Sequence, residues 1–252
     1  MSGHSKWSSI KHRKAAADAK RGQLFTKLAR AITVAAREGG GDPAANFTLA
    51  AAIEKARSYS MPKDNIQRAI DRGTGAGDGE ARIERVVYEG YGPGGAAILL
   101  EALTDNRNRT SAEVRHAFDK HGGSLGEPGS VAWQFEKKGI VVVDGQRYDA
   151  DDLLAAVDAG ADDVVEDGDL LKATAEPALL AAIREALERA GVEVQRAEVT
   201  MEPKAVVEVG AEADARGLVR LMDALDDHDD IDAVHANFDI PAGLLDEIET
   251  AA

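Results

Sequence analysis

The sequence predicts an α+β fold in which a small helical domain precedes a larger part built from strands and helices. Three observations support this prediction. Apolar residues recur at helical spacing up to Ile70, the glycine-rich stretch "RGTGAGDGE" from Arg72 to Glu80 ends that pattern, and apolar residues alternate with a period of two beyond it. A chain of 252 residues is long enough for more than one core.

Three amphipathic helices are predicted before the glycine-rich stretch. The apolar residues of the first helix share one face, and the "GGG" at positions 39–41 ends it. Asp42 is the predicted N-cap of the second helix, with Pro43 at its first position, and the third helix opens at Pro62. These helices imply a domain over residues 1–80 that includes the basic N-terminal arm and the glycine-rich linker.

The middle of the chain has the element order βαββαβ. It runs from the strand "GIVVV" through a helix at 152–159, the strands "DDVVE" and "DLLKATA" and a helix at 178–190 to the strand "VEVQRAEVT". The Asp167-Gly168 step favours a tight hairpin between the two middle strands. This order is that of a ferredoxin-like domain.

The elements on either side of this run form a second set. Before it lie a strand, turn and strand in "RIERVVYEGYGPGGAAILLEAL", a helix in "RTSAEVRHAFDKHGG" and a strand in "SVAWQF". After it come a strand in "AVVEV", a helix with Leu218, Leu221, Met222 and Leu225 on its face, and a strand in "IDAVHANFDI". The set is again ferredoxin-like, with one extra strand at its front. The sequence therefore predicts one ferredoxin-like domain, residues 138–203, inserted into another, residues 81–137 and 204–245, through "EKKG" and "EPK".

Charge is distributed very unevenly along the chain. The formal net charge is -15, yet through Arg37 there are nine Lys and Arg residues and one acid, Asp18, a local charge of +8. A basic head on an acidic body suggests that the head alone meets a polyanion. "KHRKAAADAK" has the composition of a helix but few large apolar side chains to bury. We therefore expect a helix that becomes ordered when it binds a partner.

The head also carries an aromatic residue. Trp7 lies among the basic residues without an apolar run around it and can stack on an exposed base. The candidate nucleic-acid-binding residues are Lys6, Trp7, Lys11, His12, Arg13, Lys14, Lys20, Arg21 and Lys27. The alternative is a solubilising tail, with Trp7 docked on its own helical domain.

A second basic patch lies in "TDNRNRTSAE". Arg107 and Arg109 are predicted on a loop just before a helix, with Thr110 or Ser111 as its N-cap. Two arginines next to free helix N–H groups make a candidate phosphate contact. The alternative is an ordinary capped loop in which Arg107 pairs with a nearby carboxylate.

Motifs for catalysis are scarce. "GPGGAA" leads from a strand into another strand and is predicted to be a hairpin turn, not a dinucleotide site, and no Walker loop or G-x-S-x-G motif occurs. The scattered histidines and the acidic runs "DDHDD" and "EDGD" lack metal-site spacing, so solvated acidic loops are expected. The sequence therefore predicts no enzyme, no cofactor, no metal and no small-molecule substrate.

Other features limit the remaining function classes. The aromatic residues Tyr88, Trp133, Phe135 and Phe238 do not form an RNA-recognition motif, so core or interface packing is expected for them. The chain has no cysteine, no apolar run long enough for a membrane span, and no apolar segment after its basic start. A cytoplasmic protein without membrane contact is expected.

Several stretches resemble the YebC/PmpR family. The similarity runs through "GHSKWSSIKHRKAAADAKRGQLFTKLARAITVAAREGG", "MPKDNIQRAI", "YEGYGPGG", "LTDNRNRT", "HGGSLG" and "GSVAWQFEKKG", and it is looser in the acidic C-terminal part. Ser8 and Ser9 stand where the family pattern has Ala and Asn. The resemblance implies a three-domain cytoplasmic protein with a helical N-terminal domain, usually described as a probable DNA-binding transcriptional regulator. It also implies a link to translation, since mitochondrial relatives activate it and bacterial relatives are linked to ribosomes stalled on proline-rich chains.

The leading prediction is a non-enzymatic nucleic-acid-binding regulator of gene expression, with DNA as the partner of a transcriptional regulator. The alternative is a translation factor that binds ribosomal RNA or the ribosome and relieves stalls at proline-rich sequences. It stays open, because its basic head would bind phosphates in the same way. A protein-interaction adaptor whose tail only solubilises it is the third alternative.

Overall fold

The computed structural model describes residues 18–75 and 83–250 of the chain. These residues form two compact units. The first unit comprises residues 18–75, 83–131 and 211–234, and the second unit comprises residues 132–210 and 235–250. No described helix has both the length and the apolar character needed to cross a membrane.

Three helices begin the first unit, as predicted. They are α1 (Asp18–Gly39), α2 (Phe47–Ser58) and α3 (Lys63–Gly73). Their shared core contains Leu28, Ile32, Leu49, Ile53, Ile66 and Ile70. Helices α1 and α3 pack closely at Gly73, where an added Cβ would lie 2.4 Å from the carbonyl oxygen of Thr33. A side chain at that position would force the two helices apart.

The predicted start of the second helix is wrong by four residues. Asn46, not Asp42, is the N-cap of α2, and its side chain accepts a hydrogen bond from the Leu49 N–H at 3.0 Å. The Asn46 amide group also donates to the carbonyl oxygens of Ala35 and Gly40, at 2.8 Å each. Asp42 accepts a bond from the Ala44 N–H at 3.0 Å and caps a turn instead. The local sequence allows either cap, but only Asn46 is buried against the end of α1.

A four-stranded sheet completes the first unit, together with α4 (Arg107–Lys120) and α7 (Glu212–Asp226). Its strands are β1 (Glu84–Tyr91), β2 (Ala97–Thr104), β3 (Ser124–Leu125) and β9 (Ile231–Ala236), in the order β3-β1-β2-β9. The predicted Gly/Pro hairpin joins β1 to β2 in antiparallel register, with Tyr88 opposite Leu100. The predicted apolar face of α7 is buried, including Leu218 and Leu221.

The order of this sheet differs in one respect from the expected ferredoxin-like arrangement. The strand predicted to be extra, β1, lies next to β2 in the centre of the sheet. The strand predicted in "AVVEV" forms β8 (Val207–Glu208), which pairs in parallel with β10 (Phe238–Asp239) in a separate ladder. A short hairpin closes at less entropic cost than a pairing between segments about a hundred residues apart, which favours β1 in this position.

The second unit contains the predicted βαββαβ run. Its elements are β4 (Phe135–Asp144), α5 (Leu154–Asp158), β5 (Asp163–Asp167), β6 (Leu170–Ala175), α6 (Leu180–Arg189) and β7 (Val194–Pro203). The strand order β5-β6-β4-β7, with antiparallel neighbours, is that of a ferredoxin-like sheet. The hairpin predicted at Asp167-Gly168 joins β5 to β6, with Gly168 at a φ of 64°.

The connections predicted at "EKKG" and "EPK" are strand residues except for Lys204, which follows β7. Strand β4 runs without a break from Phe135 and pairs with β7 as far as Pro203. The separate strand predicted in "SVAWQF" is therefore wrong, because residues 132–134 form a single 3-10 turn before β4. Glu136 and Lys137 are exposed, so their polar side chains do not interrupt the pairing. Helix α8 (Ala242–Thr250) ends the described chain, and the three-domain boundaries stay a prediction.

Candidate nucleic-acid interface

Helix α1 contains the last part of the basic head, from Asp18 to Arg37. One face of the helix packs in the three-helix core, and the helix also contacts β2. Basic side chains of α1 bind backbone oxygens elsewhere in the first unit. Lys27 donates to the carbonyl oxygen of Asp226 at 2.5 Å, and Arg37 donates to that of Ile83 at 2.8 Å. The helix is therefore fixed to the strand-containing part of its unit.

Asp230 forms the strongest of these attachments. Its carboxylate exposes only 3% of its surface and lies 2.5 Å from the Arg30 guanidinium and 2.6 Å from that of Arg109. The hydroxyl groups of Thr110 and Thr104 donate to the same carboxylate, at 2.7 and 3.2 Å. We call Asp230, Arg30, Arg109, Thr104 and Thr110 the Asp230 cluster.

The electrostatics of the cluster favour an ionised carboxylate. Burial by itself raises the pKa of Asp230. The hydrogen bonds from Arg109 and Thr110 and the positive charges of Arg30 and Arg109 outweigh burial and lower the pKa to about 2. The same contact with Asp230 raises the pKa of Arg109. Asp230 is thus a permanent negative charge at neutral pH, held between a residue of α1 and a residue of α4.

Most of the predicted nucleic-acid contacts lie in the head. Lys6, Trp7, Lys11, His12, Arg13 and Lys14 lie outside the described residues, as does most of the helix predicted over "KHRKAAADAK". Lys20 and Arg21 belong to α1. Lys27 is half-buried and its ammonium group binds the Asp226 carbonyl oxygen. The contacts of the head with a ligand therefore stay a prediction.

The second basic patch is arranged differently from the prediction. Asn106 is the N-cap of α4 and accepts a hydrogen bond from the Arg109 N–H at 3.1 Å, so Thr110 and Ser111 are not caps. Arg107 and Arg109 consequently lie in the first turn of the helix and not on a loop. Arg109 binds Asp105 and Asp230, whereas the Arg107 side chain is exposed. Phosphate contact by these two arginines stays a prediction, and Arg109 would have to exchange ion-pair partners to make it.

The run "DDHDD" is the predicted solvated loop only at Asp227 and Asp229, which are exposed. Asp230 is buried, and Asp226 supplies a backbone acceptor to α1. His228 accepts a bond from the Asp230 N–H through Nδ1, which leaves its Nε2 to donate to Glu113 at 3.0 Å. Glu113, His228 and Asp230 have ligand atoms within 4.8 Å of one another. Arg30 and Arg109 already neutralise Asp230, so a metal ion would meet two positive charges there.

The predicted aromatic core residues separate into two groups. Tyr88, Phe135 and Phe238 are buried, as expected. Trp133 is not, because it exposes 67% of its surface. It lies in the 3-10 turn before β4. Core packing of Trp133 is therefore wrong, and packing in an interface stays a prediction.

Two family models match the chain. The model for the N-terminal domain of the TACO1/YebC protein matches residues 5–76. The model for the TACO1/YebC second and third domain matches residues 83–238. The chain belongs to the TACO1/YebC family. This membership agrees with the resemblance that the sequence motifs indicate.

Relatives in the TACO1/YebC family match over nearly their whole length. Proteins of Rubrobacter xylanophilus and Chloroflexus aggregans are each 54% identical to the chain, and the matches cover 98% and 99% of it and 99% and 100% of the relatives. Both are named probable transcriptional regulatory protein. The crystal structure of a conserved hypothetical protein from Aquifex aeolicus is 45% identical, with a TM-score of 0.82 over 92% of this chain and 96% of that one. The α+β fold with a helical N-terminal region is thus confirmed.

Three buried carboxylates in the described part of this TACO1/YebC chain escape prediction from the sequence: Asp230, Glu89 and Asp167, which lies in "EDGD" where the sequence predicts a solvated loop. Asp230 stands in an acidic run of the kind usually found in water, and Glu89 stands in a strand with ordinary alternation. Glu89 accepts hydrogen bonds from the Gly129 and Val131 N–H groups, at 2.7 Å each, and so holds the loop that contains "GEPGS". The position of Glu89 could have indicated its role. It is a charged residue between strand residues and next to Gly90, and a charge buried in a strand needs a hydrogen-bond partner.

Proposed function

We propose that the protein is a non-enzymatic regulator of gene expression that binds nucleic acid through its basic N-terminal segment. The leading form is a DNA-binding transcriptional regulator that acts in the cytoplasm. One observation carries the proposal: the segment through Arg37 has a charge of +8 in a chain of net charge -15. The names of its relatives in the family support a regulatory role.

Binding would occur by phosphate neutralisation. Lys6, Lys11, Arg13, Lys14, Lys20 and Arg21 would each contact a phosphate, and Trp7 would stack on a base or sugar. The attachment of α1 at Asp230 and Asp226 supports this mechanism, since a fixed helix gives the segment before it a fixed point of departure. The acidic remainder of the chain would repel the polyanion and orient the protein on it.

A translation factor that binds ribosomal RNA, and relieves stalls at proline-rich sequences, is the second candidate. Trp7 favours it, because an aromatic residue among basic residues suits unpaired bases, which RNA loops offer more often than duplex DNA does. Ribosome profiling and transcript levels of a deletion strain would separate the two forms. Pauses at proline runs without primary transcript changes would contradict the DNA form, and the reverse would contradict the translation form.

Charge reversal in the head tests the shared mechanism. We expect the triple variant Lys11→Glu, Arg13→Glu, Lys14→Glu to lose most binding to duplex DNA and to ribosomes in gel shifts and cosedimentation. With about six phosphate contacts, the log–log salt slope on duplex DNA should be near -5, and losing three contacts should reduce its magnitude by about 3.

A control variant carries the same change in charge elsewhere. Arg115→Glu, Arg189→Glu, Arg220→Glu alters three exposed arginines outside the head and should keep both the affinity and the salt slope nearly unchanged. Equal losses in both variants would show that only net charge matters. Unaltered binding in the head variant would exclude the head as the contact surface and favour an adaptor.

A further inference from the structure

Helix α5 of the second unit has apolar side chains on two sides. Leu153, just before the helix, and Ala156 are completely buried in the core of the unit. Leu154 and Val157 lie one turn apart on the other side and expose 57% and 48% of their surface. A helix that is apolar all round is normally covered on every side, so the outer side of α5 suits a contact with another molecule.

Leu179 extends this exposed apolar region. It is 36% exposed and ends the 3-10 turn before α6. Its Cδ1 atom lies 2.9 Å from the position that a Cβ atom on Gly160 would occupy, and the Gly160 N–H donates to the Val157 carbonyl oxygen at 3.0 Å. Leu179 therefore lies beside the end of α5, in the same part of the surface as Val157.

Exposed carboxylates accompany these apolar side chains. Asp158 lies on α5 one turn after Leu154, and the Leu154 N–H donates to the Asp151 carbonyl oxygen at 3.2 Å. The Leu179 N–H donates to the Glu176 carbonyl oxygen at 2.9 Å. The side chains of the three acidic residues are exposed. We call the following residues the α5 surface: Leu154, Val157, Leu179, Asp151, Asp158 and Glu176.

The charge around the α5 surface is strongly negative. Residues 150–180 include nine acidic residues and one basic residue, Lys172. The ammonium group of Lys172 binds Glu202 at 2.7 Å, and that of Lys138, from β4, binds Asp162 at 2.8 Å. These basic side chains are thus already engaged with carboxylates. The α5 surface therefore attracts cations and repels anions.

We propose that the α5 surface binds a basic amphipathic segment of a partner protein. The apolar side chains of that segment would pack on Leu154, Val157 and Leu179, and its Lys or Arg side chains would pair with the flanking carboxylates. Charge complementarity selects this occupant, because a nucleic acid, an anionic membrane and the α5 surface of a second copy are all negative. The inference goes beyond the proposed function, since the basic head and the α5 surface bind different partners.

A designed peptide tests the chemistry of the occupant. The probe is a fluorescein-labelled peptide of Lys and Leu, about fourteen residues long, with its leucines on one helical face. A second peptide has the same composition with the leucines distributed around the helix. We expect the full-length protein to bind the first peptide about tenfold more tightly than the second in fluorescence anisotropy, because only the first can bury its leucines together.

Variants locate the binding site. Leu154→Ser and Val157→Ser should each weaken binding of the amphipathic peptide about tenfold, with an unchanged circular dichroism spectrum because both side chains are exposed. Val87→Ser in the first unit is the matched control, since Val87 is also 48% exposed, and it should not change the affinity. Asp158→Asn should weaken binding at low salt and reduce its salt dependence.

The other outcomes would overturn the proposal. Equal affinity for the two peptides would show that charge alone attracts them, and unchanged affinity in Leu154→Ser and Val157→Ser would place the contact elsewhere. A peptide of residues 1–21 that binds the α5 surface more tightly than the probe, together with self-association that Leu154→Ser abolishes in ultracentrifugation, would assign the surface to a second copy of this chain. None of these measurements includes nucleic acid, so failure here leaves the proposed function intact.

Discussion

Two aspartates paired with basic side chains show how differently the two units hold charge. In the first unit, Asp230 exposes 3% of its side chain and binds Arg30 and Arg109. In the second unit, Asp162 exposes 46% and binds Lys138 at 2.8 Å. Both contacts have good geometry, so the difference between them is the amount of water around the carboxylate.

This difference decides what each ion pair does for the fold. An exposed pair gains little, because water screens the attraction and two long side chains lose freedom. A buried carboxylate cannot return to water without unfolding, so removing either side leaves an uncompensated charge. The Asp230 cluster therefore attaches α1 to the strands of the first unit, whereas the exposed pair of Lys138 and Asp162 contributes little to stability.

Asp230→Ala should produce the largest effect on stability. The change leaves Arg30 and Arg109 without their shared partner and removes the nearer of two acceptors of the Thr110 hydroxyl, which we expect to cost about 3 kcal/mol of unfolding free energy. Urea unfolding followed by circular dichroism measures it. Asp162→Ala is the matched control and should leave the unfolding midpoint unchanged within error.

The isosteric variant sharpens the same comparison. Asp230→Asn keeps the shape of the side chain and one acceptor oxygen, but it removes the charge and replaces the other acceptor with an NH2 donor. It should lie between Asp230→Ala and the wild type. Equal stability of Asp230→Asn and the wild type would show that the hydrogen bonds from Thr104 and Thr110, and not the charges, hold the cluster together.

Acid should weaken the first unit through Asp230. Its pKa falls from an ordinary value of 3.8 to about 2 on folding, so its stabilising contribution is complete above about pH 4 and is lost as the pH falls towards 2. The contribution is about 2 kcal/mol. The difference in unfolding free energy between the wild type and Asp230→Asn, measured from pH 6 to pH 2, should shrink over that window. A difference that stays constant over this pH range would contradict the lowered pKa of Asp230.

Lys172→Ala should give an intermediate effect. Lys172 and Glu202 form a pair at 2.7 Å in the second unit, with side chains that are 10% and 17% exposed. Removing the lysine leaves Glu202 in a poorly hydrated place, and we expect a loss of about 1–2 kcal/mol in urea unfolding. A loss as large as that of Asp230→Ala would mean that the Lys172–Glu202 pair is as poorly hydrated as the Asp230 cluster, despite its larger exposed fractions.

Arg147→Ala should give the smallest effect. Arg147 binds Glu193 at 2.6 Å and lies 5.4 Å from the centroid of the Tyr148 ring, but both partners of the ion pair are exposed. We expect a thermal unfolding midpoint equal to that of the wild type within error, at low and at high salt. A fall in the midpoint that high salt abolishes would show that this surface pair stabilises the second unit.

Sequence reasoning succeeded where the determining contacts are local. The hairpin at Gly168 depends on neighbouring residues, and the βαββαβ run of the second unit is continuous in the chain. It failed where distant segments compete, since β1 and not the strand in "AVVEV" lies beside β2. Periodicity identifies a strand but contains no information on which partner the strand will choose.

The candidate site shows the same limit. A basic run with a tryptophan is visible in the sequence as an excess of charge, whatever its conformation. The role of Asp230 is not, because an acidic run has the same composition in water and in a buried cluster, and its partners Arg30 and Arg109 are 200 and 121 positions away.

The separation between Arg30 and Asp230 has a consequence for biosynthesis. Helix α1 is made first, and the carboxylate that anchors it is made 200 positions later. At a translation rate of about 5–20 residues per second, the helix waits about 10–40 s for that carboxylate. Throughout this interval the nascent chain carries its basic head, but Arg30 has no Asp230 to bind. A chain whose synthesis stops before "DDHDD" would contain the basic head but would never form the ion pair between Arg30 and Asp230.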